Sequence, residues 1–552
     1  MSSSFPRRIT ILGGGLSGLT TAYRLSQLPQ ASSSHTRITL IEGWNRLGGW
    51  IDSQKHHVEF TNERGELVRG DVTLESGPRS LRPRGSRGAV GMLRLLKDLD
   101  LTDHIIPIPF SHSAARNRFL LDTTTSTFHP QLTALPSSLP SLLTSSRRSN
   151  LLKGLIPSIL SEPFKPKISS SITDESVDSF FSRRFSPSIA QNLASSMVHG
   201  IYATSSSDLS VRAAFPILWE KEQRYNSVLL GMFRSTPKTP EEVKEWEELG
   251  ELGEESKKWS LYGLQGGLGA LTTRLYESIK RRGVVDIRSN EMINSIYLPK
   301  NTVSNDNAKT IHIHTSKESF ETDHIISSIS PSKLHSLLQS SSRNPAEAQA
   351  QALPHLKANP YTSVGVVNLV YPIASSKLHP EGFGYLIPRP SEGNTASNPH
   401  GVLGVIFDST AVPLSEDLKG VTKITIMMGG PYWSSYKPTL QIPNTSEELI
   451  SNSINHLETV FPILKEKGIK PILKMGRVNY DCIPTYTPGH GGRMRELHHA
   501  IKEGEWGGRL SLVGNGYGGV GLNDCVYSVD NVIAALRNGD ILTGLERWES
   551  WE

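Results

Sequence analysis

The N-terminal region combines a strand, a glycine-rich turn and a helix within a short stretch, and this succession constrains the fold more than any other feature. The β-type run 8–12 leads into a Gly-x-Gly-x-x-Gly turn, and an apolar helical pattern over 19–25 follows. The first glycine of such a turn closes it, the second lets the backbone approach a pyrophosphate, and the third lets the helix pack on the strand. Because a helix N-terminus also favours negative charge, we predict a dinucleotide-binding α/β domain whose phosphate contacts come from Gly13, Gly14, Gly15, Leu16, Ser17 and Gly18.

A second β-type run, 37–41, ends at Glu42, which lies 24 residues after Gly18. This spacing is close to that expected for a carboxylate that accepts hydrogen bonds from a ribose hydroxyl. A glycine pair then precedes Trp50, where nicotinamide-dependent dehydrogenases usually continue into another helix. The arrangement resembles the FAD-binding flavoproteins of the glutathione-reductase class, in which this loop follows the dinucleotide. In that class a segment similar to Gly77–Ser80 meets the flavin ring.

The C-terminal region repeats the strand, turn and helix order. The run 510–513 predicts a strand, 514–519 is rich in glycine, and 520–536 has a helical pattern. If both ends of the chain bind one dinucleotide, the chain between them must leave this domain and return, and the β-type runs 284–287, 311–314 and 324–329 predict that return. Asn515 stands where many FAD proteins have an acid, which weakens the prediction of a ribityl contact there. The glycines of 266–269 predict either another approach to a flavin or a plain turn.

Composition excludes several classes of protein. The 58 basic side chains exceed the 53 acidic ones by only 5, which is too small an excess to indicate nucleic-acid binding. Two cysteines, Cys482 and Cys525, cannot form a disulfide framework or a four-thiolate metal site. We therefore expect buried thiols, noncovalent flavin binding and no metal. His312 and His314 share one strand face but lack an evident third ligand.

Two further patterns concern location. The chain has no run of eighteen apolar residues, so we expect no membrane-spanning helix. No acid precedes Glu42, whereas four arginines do, which indicates either an uncleaved organelle-targeting segment or a nucleotide-binding end that lacks acids. Between His129 and Thr173 the only acid is Glu162, and the basic amphipathic pattern around 151–160 predicts either a membrane-surface contact or a solvated helical cap.

The rest of the chain divides by composition. The segment 236–258 contains eight glutamates and predicts an exposed, flexible acidic insertion. Four β-type runs within 361–430 predict a second sheet that forms the floor of a pocket over the flavin.

Several motifs together resemble the oxygen-dependent protoporphyrinogen oxidase family of the flavin amine oxidase superfamily. The resemblance spans nearly the whole chain, and the motifs are GGGLSGLTTAYRLS at 13–26, IEGWNRLGGWIDS at 41–53, LESGPRSLRPRG at 74–85, ARNRFL at 115–120, VVNLVY at 366–371, GFGYLIP at 382–388, MMGG at 427–430, CIPTYTPGH at 482–490 and YGGVGLNDC at 517–525. The first two motifs are shared by many flavin amine oxidases and desaturases, whereas GPRSLRP, NRF, GFGYLIP and the C-terminal motif are more specific.

The resemblance implies roles for individual residues. Besides the glycine turn, the positions that match FAD contacts are Glu42, Gly43, Trp50, Gly77, Pro78, Arg79, Ser80, Met292, Tyr480, Val520, Gly521 and Leu522. Arg118 matches an arginine that pairs with a substrate propionate. The positions that match the pocket around the macrocycle are Gly200, Phe383, Gly384, Leu386 and Met427. No catalytic acid or base is implied.

The resemblance also implies an architecture. We expect an α/β (α+β overall) chain with a discontinuous Rossmann-like FAD-binding domain, a mixed-sheet substrate domain and a helical membrane-binding domain. The expected boundaries are 1–109, 259–330 and 481–552 for the three parts of the FAD-binding domain, 110–235 for the helical membrane-binding or substrate cap, 236–258 for the acidic insertion, and 331–480 for the substrate-binding domain.

The implied reaction is the oxidation of protoporphyrinogen IX to protoporphyrin IX in heme synthesis, with O2 reduced to hydrogen peroxide in three FAD cycles. Hydride would leave a meso carbon for flavin N5 without a strong protein base. The implied location is the intermembrane-space face of the mitochondrial inner membrane, bound peripherally, and the resemblance allows a homodimer and a ferrochelatase-type partner. A flavin amine oxidase, a carotenoid-type desaturase and a non-enzymatic flavoprotein are the alternative classes.

Overall fold

The computed structural model describes residues 5–32, 36–61, 65–123, 130–138, 141–142, 144, 149–234, 239–299, 310–339, 352–391, 395–411, 418, 420–435 and 437–551. Its strands are β1 (Arg8–Leu12), β2 (Arg37–Ile41), β3 (Ser53–Thr61), β4 (Leu67–Glu75), β5 (Ile105–Pro109), β6 (Phe119–Asp122), β7 (Gln131–Ala134), β8 (Trp259–Leu264), β9 (Val285–Arg288), β10 (Ile293–Tyr297), β11 (Ile311–Thr315), β12 (Ser319–Thr322), β13 (His324–Ser327), β14 (Tyr361–Tyr371), β15 (Gly384–Leu386), β16 (Val402–Ile406), β17 (Thr422–Gly429), β18 (Leu473–Pro484) and β19 (Leu510–Leu512).

The longer helices are α1 (Leu16–Ser26), α2 (Ala89–Asp98), α3 (Val177–Arg184), α4 (Ser195–Tyr202), α5 (Pro216–Tyr225), α6 (Pro240–Glu248), α7 (Gly269–Arg282), α8 (Pro331–Gln339), α9 (Ser446–Val460), α10 (His490–Glu503) and α11 (Leu522–Arg537). Shorter α-helices span Ser113–Arg116, Leu155–Ser161, Pro187–Ile189, Val211–Ala214, Val228–Met232, Glu251–Ser256, Ser375–Leu378, Asp408–Ala411 and Ile463–Glu466. Among the described residues, no helix is both long and apolar enough to cross a membrane.

A five-stranded parallel sheet in the order β19-β13-β1-β2-β9 joins three distant parts of the chain. Strands β1, β2, β13 and β19 are short and almost wholly buried, as expected for a parallel sheet covered on both faces, whereas no residue of the edge strand β9 is fully buried. The helices α1, α2, α7 and α11 contribute to a shared apolar core with β1 and β2. The predicted strands at both ends of the chain are therefore present, and the sheet joins them to two of the three predicted return runs, 284–287 as β9 and 324–329 as β13. The third run, 311–314, forms β11 in a separate three-stranded sheet with β10 and β12, so it does not join the dinucleotide-binding sheet.

A second, seven-stranded mixed sheet has the order β18-β14-β17-β16-β15-β6-β7. The four strands predicted within 361–430 lie at its centre, where β14 pairs antiparallel with both β17 and β18. Two expected boundaries are wrong. Strands β6 and β7 lie inside the segment 110–235 predicted as helical, because β6 pairs in parallel with β15 and so extends this sheet. Strand β18 crosses the boundary expected at 480/481, since its whole length to Pro484 pairs with β14.

The segment 236–258 is not the flexible insertion that its composition predicts. Its described part, 239–258, contains α6 and the helix Glu251–Ser256, and Thr239 opens α6 with a reciprocal capping box to Glu242. Leu249 and Leu252 are buried in the core that also contains α2, and Arg94 pairs with Glu248 at 3.1 Å. The glutamates occupy exposed helix positions while a few apolar side chains anchor the segment, so a count of charges alone conceals the amphipathic pattern.

Candidate cofactor and substrate site

The glycine turn after β1 is fixed by contacts that leave no room for side chains. Gly13 has φ +94° and its N–H donates to the Ile41 carbonyl at 2.9 Å. A Cβ on Gly18 would lie 1.8 Å from the Gly13 carbonyl oxygen, so only glycine allows α1 to pack this close to the turn. Gly15 precedes α1 without a side-chain cap, and the first turn of α1 has no acid. The buried start of α1 thus offers backbone donors to an anion.

Glu42 lies at the carboxyl end of β2, next to this turn. Its Oε2 accepts the Gly14 N–H at 2.6 Å and its Oε1 accepts the Trp44 N–H at 2.9 Å. Met292 lies at the same place. Its sulfur is so close to Gly43 that a Cβ on Gly43 would be only 2.6 Å from it. The structure therefore groups Glu42, Gly43 and Met292 at the sheet edge where dinucleotides bind in such folds.

The loop before Trp50 reaches the other side of the turn. Gly48 N–H donates to the Gly14 carbonyl at 2.8 Å, and a Cβ on Gly15 would lie 3.7 Å from the Gly49 Cα. The Trp50 carbonyl in turn approaches Gly77 so closely that a Cβ on Gly77 would lie 2.1 Å from the carbonyl oxygen. The two loops and the segment Gly77–Ser80 therefore form one continuous backbone surface.

The C-terminal turn contacts the same helix. A Cβ on Gly514 would lie 3.2 Å from the Ser17 hydroxyl oxygen, and α1 packs along α11. The N-terminus of α11 follows Val520 and Gly521, whose N–H donates to the Asp524 carboxylate at 3.2 Å. The predicted residues Val520, Gly521 and Leu522 thus lie beside the N-terminal turn. Asn515, which stands where many FAD proteins have an acid, donates its side-chain amide to the Cys482 carbonyl at 3.1 Å.

The glycines of 266–269 lead into α7, and the N–H groups of 267–269 are already bonded. The N–H of Leu268 donates to Glu75 Oε1 at 2.8 Å, and that of Gly269 donates to Ser53 Oγ at 2.7 Å. A Cβ on Gly267, where φ is +87°, would lie 2.5 Å from both acceptors. Of the two alternatives open from the sequence, these contacts favour a plain turn.

Side chains from the mixed sheet hold the segment that the resemblance places at the flavin ring. Arg79 and Asp408 form an ion pair at 3.1 Å, with side chains 8% and 3% exposed. Asn368 donates to the Glu75 carbonyl at 2.9 Å, and Asn479 donates to the Ser76 carbonyl at 2.8 Å. These three partners were missed in the sequence, since each is an isolated polar residue in a strand or after one. Polar residues that interrupt otherwise apolar β runs, as Asn368 does in β14, are the signal that could have found them.

The network around this segment contains further buried charges. Burial raises the pKa of the Glu75 carboxyl, and burial lowers the pKa of Lys423, whose Nζ donates to the Thr73 carbonyl at 2.6 Å. Burial also raises the pKa values of Cys482 and Cys525 to about 12, so both thiols are protonated at neutral pH. Among the described residues, no group of three or more acidic, histidine or cysteine side chains is placed to bind a metal.

The predicted pocket residues meet on one side of the mixed sheet. A Cβ on Gly200 of α4 would lie 2.8 Å from Leu386 Cδ2, and one on Gly404 would lie 2.7 Å from the same atom. Gly384 has φ +141° and no room for a side chain beside the Val405 carbonyl. Every residue of β17 is buried except Met427, which is half-buried. The only incompletely buried positions of β15 and β17 are therefore Leu386 and Met427, two of the predicted pocket residues.

Arg118 and Phe383 lie next to each other at the edge of this pocket. The Phe383 N–H donates to the Asn117 carbonyl at 2.9 Å, and Phe383 packs on the small apolar cluster of Ile108, Ala114 and Leu261. Burial lowers the pKa of the Arg118 guanidinium, and the nearby Arg82 lowers it further. Tyr480 is 59% exposed on β18, one residue from the Asn479 that holds Ser76. The structure thus groups the predicted substrate residues beside the segment that holds the predicted flavin contacts.

The parallel sheet, the uncapped glycine turn and the return of the C-terminal helix define a dinucleotide-binding α/β protein with an adjoining mixed sheet that carries the predicted substrate residues. The chain belongs to the family of flavin containing amine oxidoreductases, whose family model matches residues 16–528. Within that family it is homologous to protoporphyrinogen oxidases. Those of Macaca fascicularis and Homo sapiens are each 33% identical over 528 residues, covering 95% of this chain and 96% of theirs. That of Schizosaccharomyces pombe is 30% identical over 546 residues, covering 96% and 99%.

Solved structures agree with the fold. The crystal structure of a candidate protoporphyrinogen oxidase from Exiguobacterium has a TM-score of 0.67 at 21% identity and covers 96% of this chain and 99% of its own. Cyclohexylamine oxidase from Brevibacterium oxydans has a TM-score of 0.56 at 13% identity, with 97% and 99% covered. The chain is an FAD-dependent oxidoreductase with the flavin amine oxidase fold. Its residues fit that cofactor, because the α1 N-terminus and Gly15 leave a cradle without side chains.

Proposed function

We propose that this protein oxidises protoporphyrinogen IX to protoporphyrin IX, with three O2 reduced to three hydrogen peroxide. The names of the homologues support this substrate. The observation that carries the proposal is the apolar surface of Leu386 and Met427, the incompletely buried positions of β15 and β17, which both lie opposite Gly404 in the sheet. Arg118 directly precedes β6, the strand that pairs with β15. A porphyrinogen is a broad apolar ring with carboxylates on its rim, so it needs an apolar slot and a cation beside it.

The residues of the chain bind and orient rather than exchange protons. When bound, FAD supplies a two-electron acceptor that O2 reoxidises, so the removal of six electrons requires three rounds. Gly13 to Gly18 and the start of α11 hold the dinucleotide, while Phe383, Leu386 and Met427 hold the ring and exclude water. The pyrrole nitrogen of the substrate helps hydride leave the neighbouring carbon. This agrees with the predicted pocket residues, none of which is an acid or a histidine.

The activity is tested with purified, FAD-loaded protein and protoporphyrinogen IX in air. We expect porphyrin fluorescence to rise above the spontaneous rate, with three hydrogen peroxide formed per porphyrin. A parallel reaction with a polyamine tests the amine oxidase alternative. Fluorescence that rises no faster than in the enzyme-free control would reject the proposed substrate, and peroxide formed only with the polyamine would favour the alternative.

Arg118 is proposed to anchor a rim carboxylate. Arg118→Ala should raise KM by about tenfold or more while kcat changes much less, because a charge-assisted hydrogen bond to the rim contributes to binding in both ground and transition states. Arg116→Ala removes a neighbouring exposed arginine and serves as the matched control. An unchanged KM in Arg118→Ala would reject the anchoring role.

We further propose that the protein binds peripherally to a membrane through an apolar tip made of Leu160, Phe164, Leu230, Met232 and Phe233. Each of these side chains is at least half exposed, and Phe164 and Phe233 are each 88% exposed. The tip is formed where the turn Glu162–Phe164 contacts the helix Val228–Met232. Exposed aromatic and aliphatic side chains in one place are typical of an interaction surface.

A buried ion pair supports this tip from below. Glu162 and Arg184 are both fully buried and paired, and the Glu162 carboxylate also accepts the Val228 N–H at 2.9 Å. The only acid of the basic stretch therefore points inward, whereas Lys153 is exposed and Lys165, next to Phe164, is half-buried. Residues 143 and 145–148 of that stretch lie outside the described residues. This distribution favours a surface with anionic lipids, and we place it at the intermembrane-space face of the mitochondrial inner membrane.

Vesicle binding tests the membrane proposal. The double variant Phe164→Ser, Phe233→Ser should lose at least tenfold in affinity for vesicles that contain anionic lipid, because burial of each ring contributes about 1.5–3 kcal/mol. Leu67→Ser removes an apolar side chain that is 55% exposed in the β3–β4 hairpin and serves as the control. FAD content reports that both variants are folded. Equal vesicle binding by the double variant and the unaltered protein would contradict the proposal.

A further inference from the structure

Arg82 is a second arginine near the substrate edge, and neither the resemblance nor the reaction assigns it a role. It lies in the motif 74–85, two residues beyond the predicted flavin contacts, and its side chain is exposed. Among the residues that the structure describes, neither Arg82 nor Arg118 forms a side-chain ion pair. By contrast, Arg79 on the same segment is buried and paired with Asp408.

The backbone around Arg82 is fixed on both sides. Leu81 exchanges two hydrogen bonds with Tyr262, at 2.8 and 2.9 Å. The Arg82 carbonyl accepts a hydrogen bond from the Asn523 side chain at 2.9 Å, and Asn523 also donates to Ser86 Oγ at 2.7 Å. The segment is therefore held between β8 and the start of α11, so the backbone position from which the Arg82 side chain extends is fixed.

The same apolar cluster adjoins both arginines. Leu261, next to the Tyr262 that binds Leu81, belongs to the cluster on which Phe383 packs. Arg118 follows Asn117, whose carbonyl binds Phe383. Arg82 and Arg118 thus lie on two different chain segments, and the backbone next to each of them is bonded to a residue in or beside the cluster under Phe383.

The positive charge of Arg82 acts unfavourably on that of Arg118. The pKa of Arg118 is lowered by burial first and by Arg82 second. Like charges that face one another without an acid cost free energy in the unliganded protein. A ligand with negative charge removes this cost, so such a pair is suited to an anion rather than to stabilising the fold.

We propose that Arg82 is a second substrate-positioning residue, which with Arg118 forms a two-cation edge for a ligand with two carboxylates on one side of an apolar ring. This inference rests on the proposed function and adds to it the specificity for the number of rim carboxylates. Arg118 at the start of β6 binds one carboxylate and Arg82 binds the other, while the ring lies against Phe383. Two contacts from separate segments fix the rotation of the ring in its plane, which one contact cannot do.

Binding of the oxidised ring tests the proposal without turnover. Protoporphyrin IX and its dimethyl ester are titrated into FAD-loaded protein in the same detergent, and absorbance and tryptophan quenching are followed. Arg82→Gln should weaken binding of the diacid by about tenfold and leave binding of the dimethyl ester unchanged. Arg84→Gln, two residues away, removes an exposed arginine that stacks on Phe110 and should leave both affinities unchanged.

Turnover separates failure of this inference from failure of the proposed function. If the unaltered protein does not oxidise protoporphyrinogen IX, the proposed function fails. If it does, and Arg82→Gln has the same affinity for the diacid and the same KM, the role of Arg82 is overturned. An equal loss of affinity for diacid and dimethyl ester would also overturn it, because it would show a change of shape rather than of charge. Arg82→Lys, which keeps the charge, should recover most of the diacid affinity and excludes a folding defect.

Discussion

The two sheets build their parts of the site in different ways. At the parallel sheet the glycine turn is built by backbone: Gly13 and Gly18 leave no room for a side chain, and the Gly13 N–H donates to the Ile41 carbonyl at 2.9 Å. At the mixed sheet the contacts are made by side chains from strands far apart in sequence, such as Asn368 and Asn479. The first part is local in sequence and the second is not.

This difference determines how each part tolerates change. Gly13 and Gly18 have no substitute in this turn, because Gly13 has φ +94° and a Cβ on Gly18 would lie 1.8 Å from the Gly13 carbonyl oxygen. In a side-chain network, a single substitution removes one hydrogen bond or one ion pair. The free-energy cost of that substitution depends on whether the remaining partner is left buried and unpaired.

The largest effect should follow from Gly18→Ala. The added Cβ would lie 1.8 Å from the Gly13 carbonyl oxygen, so α1 must move away from β1 and FAD content should fall to near zero. Gly492→Ala is the control, since nothing lies within 4 Å of its Cβ position in α10, and it should stabilise by about 0.5–1 kcal/mol. Flavin absorbance and thermal unfolding measure both. Full flavin occupancy in Gly18→Ala would show that the glycine turn tolerates a side chain, which would contradict the proposed difference between the two sheets.

Asp408→Ala should have the next largest effect, on the mixed sheet. It leaves Arg79 buried without its partner, which costs about 3–5 kcal/mol. Glu321→Ala removes a surface partner of Arg8 at 46% exposure and should cost less than about 1 kcal/mol. Urea unfolding of the FAD-loaded proteins compares the two. A similar cost for both variants would refute the idea that the buried pair anchors the segment 77–80.

Acid should destabilise both regions together. Burial lowers the pKa of His324, in the parallel sheet, to about 4, and that of His456, against the mixed sheet, to about 3. The unfolded chain binds these protons near pH 6.5, so stability is complete above that pH and is lost as pH falls toward the folded values. Each histidine contributes a slope of about 1.4 kcal/mol per pH unit.

Replacement of these histidines tests whether the two sheets unfold together. His324→Gln and His456→Gln should each reduce the pH dependence of unfolding between pH 6.5 and 5 by one proton. His499→Gln, at an exposed position of α10, should leave it unchanged. If only one of the buried variants changes the slope, the two regions unfold separately.

The smallest effect should come from Asn479→Ala. Loss of its bond to the Ser76 carbonyl should cost about 1–2 kcal/mol and broaden the flavin absorbance spectrum, because the segment near the ring is held less firmly. Lys474→Ala on the same strand is the control. If Asn479→Ala has the same flavin spectrum and stability as the unaltered protein, then Asn479 does not fix the position of Ser76.

The sequence predicted the parallel sheet well and the mixed sheet in part, for physical reasons. A glycine turn, its strand and its helix are encoded within some twenty residues, so β1, α1 and Glu42 could be placed without distant contacts. The Arg79–Asp408 pair joins positions 329 apart in sequence, and no local pattern records it. The strands β6 and β7 were missed because their pairing with β15 decides their structure. The glutamates of 241–255 conceal the buried Leu249 and Leu252.

The order β19-β13-β1-β2 has a consequence for how the protein is made. On the ribosome, β1 emerges first, but β13 pairs with it only after more than three hundred residues have been synthesised, and β19 only after some five hundred. The apolar edge of the nascent β1–β2 pair stays open during most of translation. Chaperone protection of that edge, or rapid shielding by α1, is then a condition for a productive yield of this enzyme.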